Sequence, residues 1–152
     1  MKMTKTLKGL GTFEGKTHVL PIAVYYEDTD LSGVVYHANY LRYMERARTE
    51  FFRSAGISRA NLDDDEPSAW ALRRIAVEYH RPARLDDQLE VRSVLTGVSG
   101  VRMSIHQRVF CGEMLLVDGR IEACMITLTG KLQRLPKKVL ETLAPYVTTA
   151  ET

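Results

Sequence analysis

Residues Tyr25 to Phe52, YYEDTDLSGVVYHANYLRYMERARTEFF, constrain the fold of this chain more than any other stretch. Their second half has helical spacing. At about 100° per residue, Tyr40, Tyr43, Met44, Ala47, Phe51 and Ala55 share one stripe, with Leu41 and Phe52 at its edge. Arg42, Glu45, Arg46, Thr49 and Arg53 fall on the other side. A helix with so broad an apolar face must bury it in a core. Gly56 supplies the stop, because glycine takes a left-handed conformation without steric cost. From Asn39 to Ala55 the helix would run roughly 25 Å at about 1.5 Å per residue. No other stretch reads as a comparable helix.

The start of that helix gathers the residues with chemistry to offer. Backbone N–H groups there lack intrahelical partners, and the helix dipole adds partial positive charge. An oxygen that gains negative charge during a reaction is stabilised at such a point. Asp28, Asp30 and His37 lie within a few residues of it. A carboxylate, an imidazole and open backbone donors together suit acyl transfer. Each also has a plainer reading. Asp30 can satisfy turn amides, Asp28 can hold the turn or a basic neighbour, and His37 can be a polar helix-start residue. Tyr26 can belong to core packing.

The rest of the chain reads mainly as strands. At 152 residues it fits one domain with a real core. Residues 1–16, with four lysines and three glycines, read as a mobile lead-in; 17–145 form the domain and 146–152 a tail. Thr17 to Tyr26 is a first strand, with Pro21 suggesting an edge position or a bulge. Ser58 to Ser68 is a loop carrying a solvated acidic run, Asp63 to Glu66. Trp70 to His80, Gln88 to Val98, Val101 to Phe110 and Glu113 to Thr129 are further strands. A bulge is expected at Gly97 and an interruption near Asp118-Gly119. Pro136 opens a short helix over Val139, Leu140 and Leu143. One strand, one long helix, then about four antiparallel strands make an α+β fold: a curved antiparallel sheet of about five strands wrapped around a central helix.

Composition excludes several classes. The 21 basic and 19 acidic residues leave a net charge of +2, too balanced to argue for nucleic acid. Cys111 and Cys124 lack metal-type spacing and read as small buried side chains, which favours a reducing compartment. His18, His80 and His106 show no metal-ligand spacing either, and read as structural or surface residues. The basic N-terminus has no apolar signal-peptide core, and no apolar run approaches the ~20 residues of a membrane span. A cytoplasmic protein is the expectation.

Two groups of residues carry a resemblance. The first is Tyr25-Tyr26-Glu27-Asp28-Thr29-Asp30, Gly33-Val34-Val35-Tyr36-His37-Ala38-Asn39-Tyr40 and Glu45-Arg46-Ala47-Arg48-Thr49-Glu50. The second is Val77-Glu78-Tyr79 followed by Pro82-Ala83-Arg84-Leu85-Asp86-Asp87. With these, residues 17–140 resemble the hotdog-fold thioesterases of the 4-hydroxybenzoyl-CoA thioesterase superfamily, and within it the YbgC-type acyl-CoA thioesterases. The first motif is long and specific. Leu31-Ser32 departs from it, where many relatives carry small residues such as Ala-Gly.

The resemblance implies hydrolysis of an acyl-CoA to a carboxylic acid and free CoA, with no cofactor beyond the CoA of the substrate and no metal. It implies Asp30 as nucleophile or base, His37 as the active-site histidine, and Tyr26 beside them. Backbone N–H groups from Val35 through Tyr36 to His37 would hold the thioester oxygen. Tyr40, with Tyr43 and Met44, is a candidate lining for an acyl tunnel. Glu45 and Glu50 lie on the polar side and flank of the helix, and are expected to pair with Arg48 or Arg46. Arg81, Arg84, Lys137 and Lys138 are basic enough to meet CoA phosphates, with ordinary charged surface as the plainer reading, and they are not counted among the site residues. The resemblance also implies a homodimer or a dimer of dimers (a homotetramer), with sites at the dimer interface. The competing readings are a hydratase on the same scaffold, and a non-catalytic module that binds acyl thioesters or an acyl carrier protein in a Tol-Pal-associated assembly.

Overall fold

The computed structural model describes residues 9–57 and 68–149. The acidic run at 63–66 lies outside the described residues. Six strands form one antiparallel sheet: β1 (Thr12–Glu14), β2 (Thr17–Ala23), β3 (Ser68–Tyr79), β4 (Gln88–Ser99), β5 (Arg102–Cys111) and β6 (Met114–Thr127). Their order is β1-β2-β4-β5-β6-β3, so β3 forms one long edge. Among the described residues the α-helices are α1 (Asn39–Ser54) and α2 (Lys137–Leu143).

The strand beyond the expected five is β1, which falls inside the stretch read as a lead-in. Gly15, at φ +64°, folds β1 back on β2. Phe13 then packs 4.6 Å from Tyr146 and 5.1 Å from both Phe51 and His18, ring centre to ring centre. The same contact corrects the tail boundary. Tyr146 covers Phe13, and the Thr148 N–H donates to the Leu95 carbonyl at 2.8 Å, so residues 146–148 dock on the domain.

Other boundaries follow local hydrogen bonding. β2 ends at Ala23 rather than Tyr26, because residues 25–28 close a 3₁₀ turn. β1 reaches only as far as Val19, so Pro21 lies where β2 has a single strand neighbour and no second ladder to supply. The register slips between Leu95 and Gly97, where a bulge is expected. β6 runs straight through Asp118-Gly119, against the expected interruption. Gly119 has a packing role instead. A Cβ there would sit 2.9 Å from the Sδ and Cε of Met44, so its absence lets α1 close on the sheet.

α1 buries Tyr40, Tyr43, Met44, Ala47, Phe51 and Phe52, and it lies on β2 and β4. It also buries Glu50. That carboxylate pairs with Arg53 at 3.1 Å and accepts the Leu10 N–H at 2.9 Å, rather than meeting Arg48 or Arg46. Arg48 turns to the fully buried Gln107, donating to its Oε1 at 2.9 Å. Gln107 in turn donates to the Met44 carbonyl and to Ser93 Oγ, both at 3.0 Å. A polar tie of this kind, inside an otherwise apolar seam, fixes the helix on the sheet because an unmade bond there is costly.

Two of the remaining histidines, His18 and His106, are buried. His18 is fully buried and bonds the Leu10 carbonyl at 3.0 Å through Nε2, and burial lowers its pKa. His106 Nε2 lies 2.9 Å from Asp118 Oδ1 on the opposite face of the sheet from α1. Both cysteines are free thiols, Cys124 buried and Cys111 half-buried.

Candidate active site

Asp30 sits at the tip of a tight turn that leads into α1. Its N–H donates to the Val34 carbonyl and its carbonyl accepts the Gly33 N–H, each at 3.0 Å. Gly33 makes the turn at φ +82°, a conformation that favours glycine. Oδ1 of Asp30 takes both the backbone N–H of Ser32, at 2.8 Å, and the Ser32 hydroxyl. Nothing among the described residues bonds Oδ2. These bonds hold the Asp30 carboxyl below its ordinary range: the Ser32 hydroxyl acts most, then the Ser32 amide, with a smaller contribution from His37. The result is an ionised, exposed carboxylate with one oxygen open. Ser32, a departure from the family wording, thus acts directly on the carboxylate.

Asp28 holds the turn, as its plainer reading expects. Its Oδ2 accepts the Tyr25 N–H at 2.8 Å. Its carbonyl accepts both the Tyr36 N–H and the Asn39 side-chain amide, each at 2.9 Å. The Val35 N–H donates to the Ala83 carbonyl at 2.8 Å. The N–H groups of Val35 and Tyr36 are therefore already spent, which corrects the expectation that they bind a thioester oxygen. The next two along the chain, on His37 and Ala38, have no partner among the described residues.

His37 borders a cleft of about 260 Å³ with Val35, Tyr40, Tyr79, His80, Arg81 and Pro82. Its ring lies 4.5 Å from that of Tyr36 and 6.2 Å from that of Tyr79, and its carbonyl accepts the Tyr79 hydroxyl at 3.0 Å. Tyr40 lines the cleft with its ring only. Its hydroxyl is turned inward to accept the Ala83 N–H at 2.8 Å, and burial raises its pKa. Tyr43 and Met44 are closed off in the core, so they do not line this cleft. Tyr26 is 82% exposed on the 3₁₀ turn, and no contact brings its side chain to Asp30 or His37. Among the described residues no three His, Cys, Asp or Glu side chains converge as a metal requires.

Sequence reasoning missed the roles of Ser32, Asn39 and the Tyr79 hydroxyl. Tyr79 was visible as part of a motif, but its partner lies 42 residues away, on the far side of α1 in sequence.

The stretch before α1 thus carries an exposed carboxylate with a free oxygen, an imidazole bordering a cleft that Asp30 itself does not line, and two open N–H groups at a helix start. Residues 24–143 match the family profile described as the thioesterase-like superfamily, and the chain belongs to that family. Among its relatives, the acyl-CoA thioester hydrolase YbgC of Escherichia coli O6:H1 is 41% identical over 122 residues, covering 79% of this chain and 90% of the relative. The acyl-CoA thioesterase YbgC of Haemophilus influenzae is 36% identical over 121 residues, covering 78% and 88%. Among solved structures, a 1,4-dihydroxy-2-naphthoyl-CoA thioesterase from Synechocystis superposes with a TM-score of 0.76 at 25% identity, covering 84% of this chain and 96% of the other.

Proposed function

We propose that this chain hydrolyses acyl-CoA thioesters to a carboxylic acid and free CoA, with Asp30 as the reacting carboxylate. The observation that carries the reading is the open Oδ2 of Asp30, on the turn that leads to the unpartnered N–H groups of His37 and Ala38 and close enough to His37 to feel its charge. Those two donors polarise the thioester carbonyl and stabilise the oxyanion. Either Asp30 attacks the carbonyl carbon, expelling the CoA thiolate to leave a mixed anhydride that water cleaves, or it takes a proton from the attacking water. His37 supplies a proton to the departing thiolate or orients the water. Val35 and Tyr40 serve as cleft walls rather than as backbone donors, while Tyr36 and Tyr26 lie outside that lining and would meet only the more distant parts of a substrate.

We place this chemistry in a hotdog arrangement, with α1 as the helix that the sheet wraps, in a homodimer or a dimer of dimers. The free side of β3 is the natural seam, since a 12-residue edge strand with Leu72 half exposed invites a partner. Among the described residues no helix is long and apolar enough to cross a membrane. The two free thiols, Cys111 and Cys124, fit the reducing cytoplasm we assign to the protein.

Thiol release from acyl-CoAs graded from short through aromatic to long acyl groups tests the function. Release with at least one of them is the expected result. Binding without release by any of them would instead favour a module that carries acyl thioesters or docks an acyl carrier protein.

A further inference from the structure

The two open N–H groups at the start of α1 have to be held in one direction if they are to receive an oxyanion. The helix does not do this itself. Its cap position is Ala38, and no side chain caps the first turn. Tyr79 reaches in from the sheet and bonds this stretch, its hydroxyl donating to the His37 carbonyl at 3.0 Å. In a trans peptide the carbonyl and the following N–H point in opposite directions. A bond to the His37 carbonyl therefore aims the Ala38 N–H, and it also polarises that N–H, because hydrogen bonds in series strengthen one another. The Tyr79 ring meets the His37 imidazole nearly at right angles, at 86°, and lies 5.8 Å from the ring of Tyr40. One side chain thus fixes both the peptide and the imidazole.

Tyr79 is itself firmly placed. It ends β3, paired with Val117 of β6. The next two N–H groups, of His80 and Arg81, both donate to the Leu116 carbonyl, at 2.8 and 3.1 Å. A tyrosine anchored this way transmits the rigidity of the sheet to the helix start. Packing alone would not require the hydroxyl, since a phenylalanine ring fills the same space.

We propose that Tyr79 is a positioning residue for thioester hydrolysis, holding the His37–Ala38 peptide through its hydroxyl and the imidazole through its ring. This rests on the hydrolase reading above. The test is Tyr79→Phe beside wild type, with three readouts: steady-state thiol release, thermal unfolding, and amide exchange across residues 36–40. Loosening an oxyanion donor costs less than the roughly 100-fold or greater loss seen on deleting one, so kcat should fall about 10-fold while KM stays within about twofold. Amide exchange at 36–40 should quicken, with the unfolding temperature nearly unchanged. Both kcat and exchange must move. A change in only one, in neither, or a loss of kcat matched by lost stability overturns the inference. If wild type hydrolyses and the variant is unaffected, the inference alone fails. If wild type releases no thiol from any acyl-CoA, the hydrolase reading fails and takes the catalytic part of the inference with it.

Discussion

At the residue scale the site is a balance between holding Asp30 still and keeping it reactive. Two donors from Ser32 fix Oδ1 and lower the pKa of the carboxyl, so it stays ionised to lower pH than an ordinary aspartate. The same bonds draw electron density from the group and make it a weaker base. Ser32→Ala removes the larger of the two effects while leaving the backbone N–H in place. Asp30 should then titrate higher, and because the ionised form is the active one, the acid limb of kcat/KM should move to higher pH. A pH–rate profile checks this, and an unmoved limb would detach Ser32 from the chemistry. The placement of Asp30 and His37 just before α1 was legible in the sequence because their motif is long and local. Which N–H groups stay open was not, since that depends on the Ala83 carbonyl, 48 positions from Val35, and on the Asp28 carbonyl folding back to Tyr36.

At the element scale, α1 was legible almost to the residue. The 3.6-residue period marks the face that is buried, and Gly56 stops the helix at φ +98°. Its polar attachments were not legible. Periodicity places Gln107 among inward-facing residues but gives no sign that its amide would bond α1, Ser93 and Arg48 at once. Gln107→Ala leaves the Met44 carbonyl, the Ser93 hydroxyl and a half-buried guanidinium short of partners. A loss of about 2–3 kcal/mol in denaturant unfolding is expected. A loss below about 0.5 kcal/mol would show that water or rearrangement replaces the tie. Residues 12–14 and 146–148 escaped the sequence reading for a related reason, while 1–8 and 150–152 lie outside the described residues. β1 and residues 146–148 are short and lack a clear period of their own, and they are ordered by contact with each other through Phe13 and Tyr146.

At the scale of the whole molecule, the seam proposed along β3 would link assembly to the site. β3 is an edge strand that ends at Tyr79, beside the His37 carbonyl. A second copy pairing along it would cover an exposed ladder and shield Leu72. In solution the wild type should elute at twice or four times the 17.2 kDa of one chain. Leu72→Lys puts a charge on that edge, a common device against strand pairing, and should shift the protein toward monomer. A monomeric wild type at micromolar concentration, or an unchanged assembly in the variant, would move the seam elsewhere.

The central claim is that the Asp30 carboxylate performs the hydrolysis, and thiol release by Asp30→Asn beside wild type tests it most directly. Asparagine keeps the size of the side chain and an oxygen for the Ser32 donors, so the turn is preserved. The account predicts that wild type releases thiol from an acyl-CoA while the variant, equally stable to heat, is slower by about 100-fold or more. Equal rates from the two proteins would contradict it.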